Sequence, residues 1–105
     1  MFGLKESIIE TIKKVLINYE EIERATVFGS RARGDYKKTS DIDLAIFSSN
    51  ISSTRLNMLR DEIDMLDIIY KVDIVHFESL TKEGLIENIK NEGVVIYTSS
   101  LPKNN

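Results

Sequence analysis

Residues 25–47 read ATVFGSRARGDYKKTSDIDLAIF: a short apolar run ends at Gly29-Ser30, a basic segment follows, and Asp41-Ile42-Asp43 opens a second apolar run. Ten residues separate Ser30 from Asp41, enough for one helical turn and a loop that brings the chain back to where it left the first strand. Gly29 permits close backbone approach to an anion, and the hydroxyl and amides at Ser30, opening a helical turn, are placed to donate to phosphate oxygens. Asp41 and Asp43 supply the opposite charge. Residues i and i+2 of a strand face the same way about 6.6 Å apart, so these carboxylates can hold divalent cations between them while Ile42, Leu44 and Ile46 face a core. The pattern predicts a cradle for a metal-bound triphosphate.

Upstream, Leu4, Ile8, Ile12, Val15 and Leu16 recur at helical spacing among Lys and Glu, predicting an amphipathic helix over 4–18. Ala25 to Phe28, with its β-branched and aromatic content, predicts a short buried strand ended by Gly29. Downstream, SSNISST reads as a polar loop with Ser53 or Thr54 capping a helix over 54–68, whose Leu56, Leu59, Ile63, Leu66 and Tyr70 follow a three-four spacing.

Residues 72–77 read as a third strand, with Asp73, Val75 and Phe77 on one face and Val72, Ile74 and His76 on the other. An unpaired carboxylate is costly to bury, so Asp73 must meet water, a cation or a positive partner; a metal centre makes it the third carboxylate. His76 has the opposite parity and reads as structural, and with no second histidine and no cysteine there is no zinc site. A last helix over 80–91 carries Leu85, Ile86 and Ile89 on one side, with Gly93 as a stop signal. Residues 94–97 predict a fourth strand, and 98–105 a polar tail beyond a single domain over 1–97.

The basic segment holds Arg31, Arg33, Lys37 and Lys38 against Asp35, reversing the chain's net sign locally. In a helical turn Arg33, three residues after Ser30, lies over the hydroxyl's face and can reach a phosphate or brace the loop, while Arg31 points elsewhere. The alternative is that all four are solvated surface charges. Gly34-Asp35 marks a turn.

A length of 105 residues suits one domain with one core, and 42% apolar with 30% charged residues is the composition of an ordinary globular protein. The absence of cysteine gives no sign of an oxidising compartment. With charges interrupting the first twenty residues, neither a signal peptide nor a membrane span is expected, and the expected location is cytoplasmic. A net charge of −3 argues against coating nucleic acid, so any nucleotide contact must be local. The fold class expected is α/β mixed, of the α+β type: a mixed sheet of about four strands with helices mainly on the face opposite the carboxylates. If Gly29-Ser30 at the exit of strand one and Asp41 at the entrance of strand two serve one triphosphate, these strands must run antiparallel. The lack of G-x-G-x-x-G also argues against a doubly wound dinucleotide fold.

Gly-Ser, ten residues and Asp-x-Asp resemble the nucleotidyltransferase superfamily that includes DNA polymerase beta and the aminoglycoside nucleotidyltransferases. Within it, GSRARGD, SDIDL and the short length are most similar to the minimal nucleotidyltransferases, or MNT proteins, over nearly the whole domain. The resemblance implies the nucleotidyltransferase fold, with Gly29, Ser30 and Arg33 on the nucleotide and Asp41, Asp43 and Asp73 on Mg²⁺ or Mn²⁺. An acceptor hydroxyl would attack the α-phosphorus of ATP and pyrophosphate would leave, catalysis resting on positioning and charge neutralisation. It also implies a partner, a small helical HEPN-domain toxin that such proteins neutralise by binding it and adding AMP to a hydroxyl, commonly of tyrosine. The residues alone leave the acceptor open and keep a noncatalytic capping module as the alternative, using Leu56, Met58, Met65 or the end of the last strand as an apolar surface. A calcium loop would need further oxygen ligands, and templated polymerisation would need domains that grip a duplex.

Overall fold

The structure, a computed structural model, describes residues 1–99. In chain order its elements are α1 (Glu6–Leu16), β1 (Arg24–Phe28), α2 (Ser30–Arg33), β2 (Ile42–Phe47), α3 (Ser53–Asp64), β3 (Val72–His76), α4 (Glu83–Glu92) and β4 (Val94–Thr98), with a 3₁₀ turn over Phe77–Ser79. They form one mixed sheet in the order β3-β2-β1-β4. β1 runs antiparallel to both β2 and β4, while β2 and β3 are parallel. The expected antiparallel return from the Gly-Ser turn is therefore present, with Phe28 opposite Asp43.

Strand alternation divides the sheet into two unlike faces. On one, Ala25, Val27, Ile42, Leu44, Ile46, Val72 and Ile74 pack with Ile12, Val15 and Leu16 of α1 and with Leu56, Leu59 and Ile63 of α3. Each fully buried aliphatic side chain here is worth about 1.5–3 kcal/mol relative to exposure. On the other face Phe28 and Ala45 pack beneath Ile89 of α4, with Leu85, Phe47, Val75, Phe77 and Leu80 around them. The helices thus lie mainly opposite the carboxylates, as expected. α4 is the exception, roofing the middle of the carboxylate face and leaving bare the end where Asp43 and Asp73 stand.

Several boundaries differ from the sequence expectation. α1 starts at Glu6, because Met1–Leu4 fold into a turn in which the Leu4 amide donates to the Met1 carbonyl at 2.9 Å and Phe2 and Gly3 take φ of 59° and 68°. Leu4 is still buried, but without belonging to the helix. Ser52, rather than Ser53 or Thr54, caps α3, its hydroxyl accepting from the Arg55 amide at 3.1 Å. α3 stops at Asp64, not 68, with no basic residue in its last turn. Acids at 64 and 67 oppose the partial negative charge of the helix end, so Leu66 and Tyr70 reach the core from the following turn. Leu56 is buried, which removes it from any candidate docking surface. α4 begins at Glu83, three residues late, after the 3₁₀ turn.

β4 extends to Thr98, opposite Arg24, and the Ser99 amide donates to the Glu23 carbonyl at 2.9 Å, so the sheet claims the first two residues assigned to the tail. The remainder of that tail, 100–105, lies outside the described residues. Among the described residues no helix is long and apolar enough to cross a membrane.

Gly93 ends α4 by a route other than the left-handed conformation usual for helix-stop glycines, since its φ is −66°. Its requirement is space: a Cβ would lie 2.4 Å from the Ile89 carbonyl oxygen and 2.4 Å from Cγ2 of Thr26. The oxygen belongs to backbone and cannot step aside. Gly93→Ala should therefore destabilise the domain by about 1–3 kcal/mol, read as a lower midpoint in thermal unfolding; an unchanged midpoint would contradict this packing.

Candidate active site

Asp43 is the centre of the exposed end of the sheet. Its β2 position puts it opposite Phe28 across the antiparallel pair and directly opposite Asp73 across the parallel pair. Asp41 lies one residue before β2 and is exposed. Gly29, next after Phe28, has φ 74° and ψ −154°, and a Cβ there would lie 2.4 Å from Oδ2 of Asp43. Glycine is therefore required twice, by its backbone angle and by the carboxylate against it. This contact joins the Gly-Ser turn to the Asp-x-Asp strand in one site.

From Gly29 the chain enters α2. The amides of Ala32 and Arg33 both donate to the Gly29 carbonyl, at 3.1 and 3.0 Å, leaving the Ser30 and Arg31 amides at the open start of the turn. Gly34 closes it in the left-handed region, with φ 93°. Arg33 is exposed; Nε meets Asp35 Oδ2 at 3.2 Å and Nη1 meets Glu92 Oε1 at 3.3 Å. It braces the turn and ties it to the end of α4, the second of the two roles expected for it. It is also near enough to Asp43 to favour that carboxylate's charged form. Lys37 and Lys38 are exposed, as surface charges would be.

Arg31 departs from the solvated-surface reading. Only 2% of it is exposed, and its guanidinium donates to the backbone carbonyls of Phe2, Lys38 and Ser40. Helical spacing turned this arginine away from the face of Ser30 and Arg33, as found, but carried no sign that it would be buried. Its distinguishing partners are carbonyls and the rings of Tyr36 and Tyr70, of which the Phe2 carbonyl and Tyr70 are distant in the chain.

Asp73 is half-buried, and its Oδ1 pairs with Nζ of Lys71 at 3.3 Å. A cavity of about 480 Å³ opens over Asp43 and Asp73, bounded also by Lys71, Arg60 and Asp64. Arg60, which the sequence reading did not single out, donates from Nη2 to the Ile74 carbonyl at 3.1 Å and so covers part of the open β3 edge. His76 plays the structural part expected. Its ring nitrogens lie 2.7 Å from Ser79 Oγ and 2.8 Å from the Ser48 carbonyl, tying the end of β3 to the end of β2.

Burial, followed by the neighbouring carboxylates of Asp73 and Asp41, pushes the Asp43 carboxyl above the usual value of 3.8, against the pull of Arg33. Among the described residues no group of three or more His, Cys, Asp or Glu side chains closes into a metal-ligating cage. The three carboxylates are neighbours by strand register and by charge, and mutual repulsion opposes tighter approach. The donor set nevertheless suits a hard divalent ion: it is all oxygen, and its central member is held in an environment that a nearby cation would relieve.

A four-stranded mixed sheet with a Gly-Ser turn against Asp-x-Asp defines a nucleotidyltransferase domain. Residues 10–101 match the family described as "Polymerase beta, Nucleotidyltransferase", and the chain belongs to it. A Methanocaldococcus jannaschii protein named "Putative protein adenylyltransferase MJ0141" is 30% identical over 101 residues, 85% of this chain and 95% of its own length. The Haemophilus influenzae protein named "Probable protein adenylyltransferase MntA" is 30% identical over 94 residues, 89% of this chain and 82% of its own. In fold the chain is similar to a toxin-antitoxin crystal structure with AMP-PNP, at a TM-score of 0.67 and 22% identity over 92% of this chain and 76% of that one. It is also similar to a structure of tri-AMPylated Shewanella oneidensis HEPN toxin in complex with MNT antitoxin, at a TM-score of 0.66 and 19% identity over 91% of this chain and 74% of that one.

The raised Asp43 carboxyl has a consequence for stability. The folded protein holds this proton more tightly than the unfolded chain, so the associated stability is complete in acid and is lost as pH rises from the unfolded carboxylate value through the raised one. Asp43→Asn should remove that loss, making the metal-free variant more heat-stable at pH 7 by on the order of a few °C. The advantage should vanish toward acid below the ordinary carboxylate range. Thermal unfolding in chelator across this pH range is the measurement, and a variant less stable than wild type at pH 7 would contradict the electrostatic account.

Proposed function

We propose that this chain is a metal-dependent adenylyltransferase that moves AMP from ATP onto a tyrosine hydroxyl of a HEPN-type toxin and so acts as its antitoxin. The observation that carries the reading is the apposition of Gly29 to Asp43, which brings an anion-accepting turn and a carboxylate group to one end of the sheet. The names of the curated relatives support protein adenylylation, and the fold shared with an MNT antitoxin bound to an AMPylated HEPN toxin supports the partner class.

In this reading Asp41, Asp43 and Asp73 would hold Mg²⁺ or Mn²⁺, which when bound supplies neutralisation of the triphosphate charge and acidification of the acceptor hydroxyl. The Ser30 hydroxyl and the amides at the start of α2 orient the β- and γ-phosphates, while Arg33, braced by Asp35 and Glu92, adds positive charge beside them. The tyrosine oxygen attacks the α-phosphorus in line, an O–P bond forms, the bond to the bridging oxygen breaks, and pyrophosphate carries that oxygen away. The hydroxyl proton passes to solvent. Lys71 and Arg60 on the wall of the cavity give the acceptor side a positive rim. Met65, 85% exposed, and Ile69, 89% exposed, are apolar groups beyond the end of α3 available to a partner surface.

The test is intact-mass analysis of this chain and its co-purified partner after incubation with ATP and Mg²⁺. One adenylyl adduct per modified hydroxyl and stoichiometric pyrophosphate are expected. Asp73→Asn should remove the adduct and leave the complex intact, because partner contact needs broad apolar surface elsewhere. ADP in place of pyrophosphate would move the attack to the γ-phosphorus and overturn the proposed step. A stable complex without adduct, for every common nucleoside triphosphate, would favour the noncatalytic capping module instead.

A further inference from the structure

Arg31 is the largest fully buried side chain among the described residues, and its position is unusual for a cation. Its Nε and Nη2 both donate to the Ser40 carbonyl, at 3.0 and 2.8 Å; Nη2 also reaches Lys38 O at 3.4 Å, and Nη1 donates to Phe2 O at 3.0 Å. The guanidinium carbon lies 4.5 Å from the centre of the Tyr70 ring and 5.1 Å from that of Tyr36. No carboxylate pairs with it among the described residues. Burial of such a charge is costly unless its donors are matched, and here carbonyl dipoles and ring faces do the matching.

The places where these partners sit give the arrangement its meaning. Arg31 follows Gly29 by two residues. Ser40, whose carbonyl takes two of its hydrogen bonds, immediately precedes Asp41 and stands three residues before Asp43. Tyr70 stands three residues before Asp73, and its neighbour Lys71 accepts from the Ile42 amide at 2.8 Å where β2 and β3 first meet. One guanidinium therefore touches all three segments that deliver the site: the Gly-Ser turn, the lead into β2 and the lead into β3. Close packing continues outside it, since a Cβ on Gly3 would fall 2.3 Å from the Tyr36 ring, so the N-terminal turn backs the Tyr36 loop.

We infer that Arg31 is a positioning residue, a clamp that sets the spacing of Asp41, Asp43 and Asp73 relative to the Gly-Ser turn and thereby their capacity for a divalent cation. The inference rests on the proposed use of those carboxylates. It assigns to the first arginine of the segment a role distinct from that of Arg33: Arg33 is at the surface beside the phosphate side, whereas Arg31 acts from inside through backbone carbonyls. Because the site's carboxylates repel one another, their spacing must be imposed by the surrounding chain, and the clamp supplies that constraint without neutralising any of them. Lysine keeps the charge but lacks the planar fork that serves several carbonyls at once and packs on aromatic rings.

The test compares Arg31→Lys with wild type in Mn²⁺ binding, followed by electron paramagnetic resonance without nucleotide turnover, and in adenylyl transfer as a function of Mg²⁺. Arg31→Lys should weaken Mn²⁺ binding roughly 10- to 100-fold, the range for losing a group that orients metal ligands. It should raise the Mg²⁺ needed for half-maximal rate by a similar factor while the KM for ATP, measured at saturating metal, stays close to wild type. Tyr36→Leu, which removes a partly exposed ring and keeps the arginine, should move both readouts the same way by less; it carries the test if Arg31→Lys does not fold. A folded Arg31→Lys protein with wild-type Mn²⁺ affinity and wild-type Mg²⁺ dependence would overturn the clamp, as would a variant whose only change is a smaller active fraction. Should wild type bind Mn²⁺ and transfer nothing, weakened Mn²⁺ binding by Arg31→Lys still upholds the clamp, and it is the transfer reaction that falls.

Discussion

The antiparallel return of β1 into β2 is the constraint on which the rest of the site depends. It sets Phe28 opposite Asp43, and the next residue, Gly29, must then turn away with no side chain because the Asp43 carboxylate already occupies that space. A parallel pair would have separated the Gly-Ser turn from the carboxylates by a strand's length. With the strands opposed, the ten residues between Ser30 and Asp41 need only form one helical turn and a loop.

The site is electrostatically expensive in the isolated protein. Asp43 is partly withdrawn from water and faces Asp73 and Asp41, while Arg33 offsets only part of the effect. Of the nearby positive groups, Lys71 pairs with Asp73, while Arg33 is committed to Asp35 and Glu92 and Arg60 to a carbonyl of the β3 edge. Concentrated like charge of this kind is a feature of functional sites, where stability is given up for a pre-set environment. The two faces of the sheet divide the labour accordingly. α1 and α3 seal one face into a continuous apolar core, and α4 roofs only the centre of the other, which lets the carboxylate end remain open.

Much of this was legible in the chain. Alternation in IDLAIF set Asp43 opposite in parity to Ile42, Leu44 and Ile46, and alternation in VDIVH set Asp73 opposite to Val72 and Ile74, because the strand period is two and burial tolerates no unpaired acid. His76 was assigned away from the carboxylates by the same parity. The helices were found by their apolar stripes, but their ends were not. Leu4, Leu66 and Tyr70 satisfy helical spacing while lying in turns, since a buried residue can reach the core from either backbone conformation. The cap of α3 moved to Ser52 among several chemically equivalent candidates.

The sequence by itself determined the fold class, the four strands and the identity of the acidic and glycine positions, because period, charge and turn chemistry are local properties; family membership came from the likeness of its motifs to known nucleotidyltransferases. Tertiary structure decided that Asp73 stands in direct register with Asp43, that α4 shares the carboxylate face, and that Gly93 is required by packing against Thr26 and Ile89 rather than by its backbone angle. It also gave the two arginines of GSRARG their different surroundings: Arg33 faces solvent, and Arg31 is buried near the rings of Tyr36 and Tyr70 with its donors on Phe2, Lys38 and Ser40. Register, close approach and the burial of a charge depend on groups far apart in the chain, and only the folded backbone brings those groups together.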